Sequence, residues 1–191
     1  MRCMLCENWS FSHICKTCQK EHLAPSFYTR KILGKIPVYS FYKYSEIEPL
    51  LLTKHTDLGY YIYTLLAKNA MKRFSDSFEF ESRVAALGID DHARNGYSHT
   101  ALLARQLTSK VIKPYYGKLR AKNRESYSGK NYQYRLLHPR RFIVKKFEER
   151  EVILVDDIMT TGLTLTQAAE ALHAEGKEVI FCLTLADVDN K

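Results

Sequence analysis

Val152-Ile153-Leu154-Val155-Asp156-Asp157-Ile158-Met159-Thr160-Thr161-Gly162-Leu163-Thr164 is the stretch on which the reading of this chain turns. Its first four residues are apolar β-formers in succession, the pattern of a strand covered on both faces. Such a strand delivers Asp156 and Asp157 to the carboxyl edge of a sheet, where α/β folds bind ligands. The turn from Met159 then opens a helix expected over Thr164–Ala174 and stopped by Gly176. Free backbone N–H groups at a helix start, three threonine hydroxyls and a glycine permitting close approach make a cradle for one phosphate. The two carboxylates just upstream can accept hydrogen bonds from vicinal hydroxyls or orient a hydrated Mg²⁺. A sugar phosphate satisfies both halves. Helix capping alone would account for one Thr or Asp, not for two acids beside three threonines. The Gly-Lys-Ser/Thr of a Walker loop is missing.

Working outward, Val179–Leu185 reads as a second apolar strand, and a strand–helix–strand unit of this length implies parallel pairing. Within it, Cys182 reads as a small core residue. Upstream, Pro37–Tyr44 alternates like a strand. Asp57–Arg73 carries Leu58, Tyr61, Ile62, Leu65 and Leu66 on a helical period. Val84–Leu87 reads as a short buried strand ending at Gly88. Ser98–Leu107 reads as a helix with Ala101, Leu102, Ala104 and Leu107 inward. The expected fold is α/β, an open and mostly parallel sheet flanked by helices.

The chain of 191 residues carries a formal net charge of +8, which favours an anionic partner such as nucleic acid, nucleotide or membrane surface. The bland alternative is a solvated basic surface. Placement matters more than the sum: Lys113–Arg150 holds 12 Lys or Arg, with Tyr115, Tyr116, Tyr127, Tyr132 and Tyr134 interleaved. Its centre, Asn123–Tyr134, is polar and aperiodic and reads as a mobile loop. No apolar run approaches the roughly 18–20 residues of a membrane span. The first residues lack a signal-peptide apolar region. A cytoplasmic protein is expected.

Four of the five cysteines form Cys3-x2-Cys6-x8-Cys15-x2-Cys18. Each CxxC knuckle projects two thiolates, and two knuckles complete a tetrahedral all-sulfur cage for structural Zn²⁺ with no open position. So short a segment has no core of its own, and metal binding supplies its folding energy. Disulfides are disfavoured in a reducing compartment. A redox CxxC would need a single pair beside a βαβ pattern. His13 between the knuckles reads as exposed rather than as a ligand. Residues 1–24 are therefore a zinc knuckle, and 25–191 the main domain with its basic loop at about 113–150.

The Val152–Thr164 stretch resembles the phosphoribosyl-pyrophosphate (PRPP) signature of type I phosphoribosyltransferases. The resemblance implies that Asp156 and Asp157, the catalytic candidates, contact the ribose hydroxyls, with Mg²⁺ accompanying PRPP. Thr160, Thr161, Gly162 and Thr164 hold the 5-phosphate. Gly88–Arg94 occupies the place of the family's pyrophosphate loop, with Arg94 as the anion ligand. The basic segment occupies the place of a flexible hood, where Lys118, Arg120, Lys122 and Arg124 face pyrophosphate or another anion. Fused to four cysteines, the domain resembles the ComF (ComFC) family of bacterial competence proteins over essentially its whole length. Lys54, Arg94-Asn95-Gly96-Tyr97-Ser98-His99 with Leu102-Leu103-Ala104, and Arg135 seven residues before Phe142 support the likeness. The chain departs from the family's patterns at Asn95-Gly96-Tyr97, at His138 and at Ala86-Leu87-Gly88. The resemblance implies a cytoplasmic role, peripheral at the inner membrane, in taking up single-stranded DNA during natural transformation. A helicase-like partner goes with that role. Basic residues with interleaved tyrosines suit phosphates and bases without reading sequence. The alternative is a phosphoribosyltransferase acting on a small base or amine in nucleotide metabolism. A third is a non-catalytic sensor in which the pocket controls a protein partner.

Overall fold

The site rests on a six-stranded sheet of order β1-β2-β8-β7-β3-β4. The computed structural model describes residues 1–89, 93, 96–122 and 132–188. Strands β2 (Ile36–Lys43), β3 (Val84–Gly88), β4 (Ile112–Tyr115), β7 (Glu151–Met159) and β8 (Glu178–Asp187) run parallel. β1 (Tyr28–Ile32) is antiparallel to β2 at one edge. All five β3 residues are buried, which explains why Val84-Ala85-Ala86-Leu87 has no alternation. β4 lies at the far edge, where Pro114 removes no internal ladder bond.

The sheet separates two apolar layers. On one face, α2 (Tyr44–Leu51), α3 (Asp57–Ala67) and α5 (His99–Gln106) cover Val84, Ala86, Ile153, Val155, Leu183 and Leu185. On the other, α7 (Leu163–Ala174) covers Ala85, Leu87, Val152, Leu154 and Cys182. Cys182 is fully buried there, as its apolar neighbours predict. The short strands β5 (Leu119–Ala121) and β6 (Phe142–Val144) pair with each other on this second side, with Leu119 in the same core. The N-terminal segment has a small core contribution of its own. Cys3, Ile14, Cys18 and Leu23 merge with the α2–α3 layer, and Tyr42 Oη donates to Leu23 O at 3.0 Å. The small helix α1 (Lys16–His22) belongs to it.

The structure departs from the sequence expectations in instructive places. β1 escaped notice because Arg30 and Lys31 interrupt its pattern; Leu33 and Gly34, at φ 50° and 70°, make the primed-type turn that suits a hairpin. The helix expected to run to Arg73 passes from α3 through a π turn at Lys68–Lys72 into α4 (Arg73–Ser77). Tyr61, expected inward, is 56% exposed, and the fully buried ring is Tyr63. The segment 113–150 is less irregular than expected: it holds β4, β5, α6 (Tyr132–Leu137) and β6, while 123–131 lie outside the described residues. Among the described residues, no helix is long and apolar enough to cross a membrane.

Candidate functional site

β7 continues to Met159, pairing Asp156 with Thr184 and Met159 with Asp187 of β8. The two acids are thus inside the strand, not beyond its end, and alternation sends them to opposite faces. Asp157 shares its face with Ile153 and Val155, and Asp156 shares its own with Val152 and Leu154. The exposed acidic pair expected from sequence becomes one buried carboxylate, Asp157 at 6%, and one half-buried, Asp156.

Asp157 is held ionised. Lys54 Nζ, from the α2–α3 loop, lies 3.0 Å from its Oδ2, and Tyr63 Oη donates to the same oxygen at 3.3 Å. His99 Nε2, in the first turn of α5, is 3.7 Å away. Burial pushes the Asp157 carboxyl up, but His99 and Lys54 outweigh it and hold the group below the usual carboxylate range. The same carboxylate, after burial itself, drives the Tyr63 hydroxyl upward. Asp156 experiences the reverse. Burial and then the neighbouring Asp157 charge push it up to about 8, against a backbone N–H bond from Asp157 at 2.9 Å and the Arg140 charge. One acid is committed to a charge network, while burial and that neighbouring charge raise the other.

The turn after β7 is built for close approach. Gly162 sits at φ 76°, in the left-handed region, and caps α7. A Cβ there would meet Ile32 Cγ2 and Met159 Cε at 2.8 Å each. Thr161 Oγ1 accepts from Leu163 N at 3.4 Å, and Gly162 O accepts from Thr166 N at 2.9 Å. Thr160, Thr161 and Thr164 are half-buried around this helix start. A residue not singled out in the sequence completes it: Arg30 Nη1 of β1 donates to Thr160 O at 2.8 Å and to Asp187 Oδ1 at 3.0 Å.

The basic candidates are partly tied down. Lys118 Nζ donates to Lys146 O at 2.7 Å. The Arg120 side chain is exposed on β5 and lies against Gly117. Lys122 is exposed, its backbone N–H shared between Arg140 O and Arg141 O at 3.1 Å each. Arg94 and Arg124 lie outside the described residues. Arg140, one of many bases in the sequence, gains its place through its backbone N–H, which donates to Gln167 Oε1 of α7 at 3.1 Å.

The four N-terminal cysteines converge: the sulfurs of Cys3, Cys6, Cys15 and Cys18 all lie within 4.8 Å of one another. Cys6 Sγ and Cys15 Sγ are 3.8 Å apart, and a tetrahedron with Zn–S near ~2.3 Å places sulfurs about 3.8 Å apart. Cys15 N donates to Cys3 Sγ at 3.3 Å and Cys18 N to Cys15 Sγ at 3.4 Å. Burial opposes ionisation of Cys3, yet N–H donors led by Cys15 lower it to about 6, while burial and neighbouring sulfurs drive Cys18 upward. Four thiolates so close need a divalent cation to ionise together, and the donor set fits one. His13 is not part of the cage; it is half-buried and stacks on Tyr61 at 4.8 Å, so the expected exposed imidazole is a docking contact.

The family model described as "Phosphoribosyl transferase domain" matches residues 62–191. Among solved structures, an orotate phosphoribosyltransferase from Aeropyrum pernix shares 19% identity over 90% of this chain and 80% of that one, with a TM-score of 0.39. The Mycobacterium tuberculosis H37Rv orotate phosphoribosyltransferase in complex with Fe(III) dicitrate shares 14%, covering 90% and 82%, with a TM-score of 0.42. A Staphylococcus aureus hypoxanthine phosphoribosyltransferase shares 16%, covering 67% and 64%, with a TM-score of 0.40. No curated protein matches the chain.

Proposed function

Because the chain belongs to the phosphoribosyltransferase domain family, we propose that the turn between β7 and α7 binds the 5-phosphate of PRPP. The observation that carries this is Gly162, left-handed at the head of α7, with Thr160, Thr161 and Thr164 around it and Asp156 on the β7 face that α7 covers. Backbone N–H groups at a helix start favour a phosphate dianion. Asp156 and Asp157 take the ribose side: Asp156 reaches the hydroxyls, and Asp157 keeps Lys54 and His99 in place beside it. Mg²⁺ bound with PRPP would supply charge neutralisation at the leaving pyrophosphate, and a carboxylate such as Asp156 is a fitting oxygen donor. Arg94 and the hood residues Lys118, Arg120, Lys122 and Arg124 serve the anionic end.

The fused cysteine cage supports a structural zinc knuckle over residues 1–24 on a transferase-type domain over 25–191. Together with the motifs around Lys54 and Ser98-His99, it supports a ComF-type competence protein. In that reading the protein is cytoplasmic and engages single-stranded DNA during uptake across the inner membrane through its basic, tyrosine-containing segment. A DNA-uptake partner of helicase type would meet it there. The family match itself favours a second reading, transfer of the ribosyl group to a small base or amine. In that reaction pyrophosphate leaves through an oxocarbenium-like state stabilised by cationic groups, and the acceptor attacks the anomeric carbon.

Calorimetry with PRPP and Mg²⁺ tests the common premise: binding is expected for the native protein and lost in Asp156→Asn/Asp157→Asn. A folded, zinc-loaded protein that binds no PRPP would sink the transferase reading and leave the basic segment and the knuckle as the functional parts. Filter binding of single-stranded DNA, with and without neutralisation of Lys118, Arg120, Lys122 and Arg124, then tests the first. Pyrophosphate release accelerated by one member of a panel of bases would select the second.

A further inference from the structure

We infer that Arg30, on the antiparallel edge strand β1, is a positioning residue for the phosphate turn. This rests on the PRPP reading above and adds a residue that lies outside both the signature and the family-matched segment, residues 62–191.

Three observations converge. One guanidinium nitrogen, Nη1, donates both to Thr160 O at 2.8 Å and to Asp187 Oδ1 at 3.0 Å. Asp187 is 4% exposed and ends β8 opposite Met159, so its carboxylate is a fixed anchor next to the turn. Ile32, two residues further along β1 and 4% exposed, occupies the space a Cβ on Gly162 would need. β1 therefore grips the turn at both ends: Arg30 holds the carbonyl at its start, and Ile32 backs the glycine at its end.

Peptide planarity makes the first grip consequential. In a trans peptide the C=O and the following N–H point in opposite directions. Pulling Thr160 O toward Arg30 turns the Thr161 N–H the other way, away from β1. That N–H is one of the donors a phosphate at the start of α7 would use. Without Arg30, the Thr160 carbonyl loses the charged donor that sets this peptide plane, and the Thr161 N–H is less well preset for an anion. Charge-assisted hydrogen bonds to a group with a buried partner are strong enough to hold such a plane.

A rival role for Arg30 is simple attraction of phosphate by its charge, and Asp187→Asn separates the two by sign. Removing the Asp187 charge leaves Arg30 a stronger attractor, so ribose 5-phosphate binds more tightly if charge alone matters. If Arg30 works by holding Thr160 O, loss of its anchor loosens binding instead. The experiment is calorimetry of the full zinc-loaded chain with ribose 5-phosphate and, separately, with Mg²⁺-pyrophosphate, alongside thermal denaturation.

Arg30→Met is expected to weaken ribose 5-phosphate by about tenfold or more, the scale of one charged hydrogen bond. Pyrophosphate, at the other end of the site, is expected to be unchanged. Arg30→Lys should recover part of the loss, and Asp187→Asn should weaken ribose 5-phosphate. Unchanged ribose 5-phosphate affinity in folded Arg30→Met, or tighter binding in Asp187→Asn, overturns the inference while leaving the PRPP reading intact. If Arg30→Met does not fold, the sign of the Asp187→Asn change decides. A native protein that binds neither PRPP nor ribose 5-phosphate overturns both together.

Discussion

Replacing Gly162 with alanine tests the geometry of the turn most directly, because the structure imposes two separable costs on a Cβ there. The first is conformational. At φ 76° an L side chain meets its own carbonyl, which costs about 1–2 kcal/mol. The second is steric. The new carbon would lie 2.8 Å from Ile32 Cγ2 and from Met159 Cε, about 1 Å inside a normal carbon–carbon contact. The Met159 methyl can swing aside on a flexible side chain. Ile32 cannot: it is β-branched, 4% exposed and paired with Ile36 in the hairpin. Overpacking of this kind adds about 1–3 kcal/mol, for a total of roughly 2–5 kcal/mol. Urea denaturation of the zinc-loaded protein measures it. The Ile32→Ala background separates the parts, because there the steric share disappears and only the conformational ~1–2 kcal/mol persists. Loss below about 0.5 kcal/mol, or an equal loss in both backgrounds, would refute the close-packed left-handed turn.

The two adjacent acids should give stability opposite slopes with pH. Asp157, depressed when folded, contributes stability that is present above its unfolded value near ~3.9 and is lost as pH falls through its lower folded value. Asp156, raised when folded, contributes stability that is full below ~3.9 and is lost as pH rises toward about 8. Melting temperature against pH should therefore lose its decline between about pH 4 and 8 in Asp156→Asn. An unchanged profile would mean that Asp156 is an ordinary solvated acid. For the metal, chelation or Cys18→Ser should lower the melting temperature of the whole domain, because Cys18, Ile14 and Leu23 share a core with α2 and α3. A domain transition unmoved by chelation would show that the knuckle and the sheet are energetically separate.

The parts of this protein legible in its sequence are those whose signal is local. The β7–turn–α7 unit announces itself through a run of β-formers, two acids, threonines and a glycine. The spacing of Cys3, Cys6, Cys15 and Cys18 states a cage outright, since two short knuckles need only to face each other. Helix α5 carries its own cap, with Ser98 Oγ accepting from Ala101 N at 3.1 Å. In such segments the chain within a dozen residues specifies both conformation and ligand chemistry.

What tertiary structure decided is the chemical state of those residues. An Asp-Asp dipeptide reads as a matched pair, but strand alternation and the continued β7–β8 ladder put the two on opposite faces. Asp157 is then ionised by Lys54, 103 residues away in sequence, and by His99. Arg30 reaches Thr160 across 130 residues, from a strand whose two cations hid it from hydrophobic periodicity. The basic segment looked structureless because β5 and β6 are only three residues each, too short for a pattern, and gain their place by packing Leu119 against the α7 layer. Local sequence encodes backbone geometry and the kinds of group on offer. Burial and long-range pairing determine which of those groups carry charge, and only the folded sheet brings such partners within 3 to 4 Å.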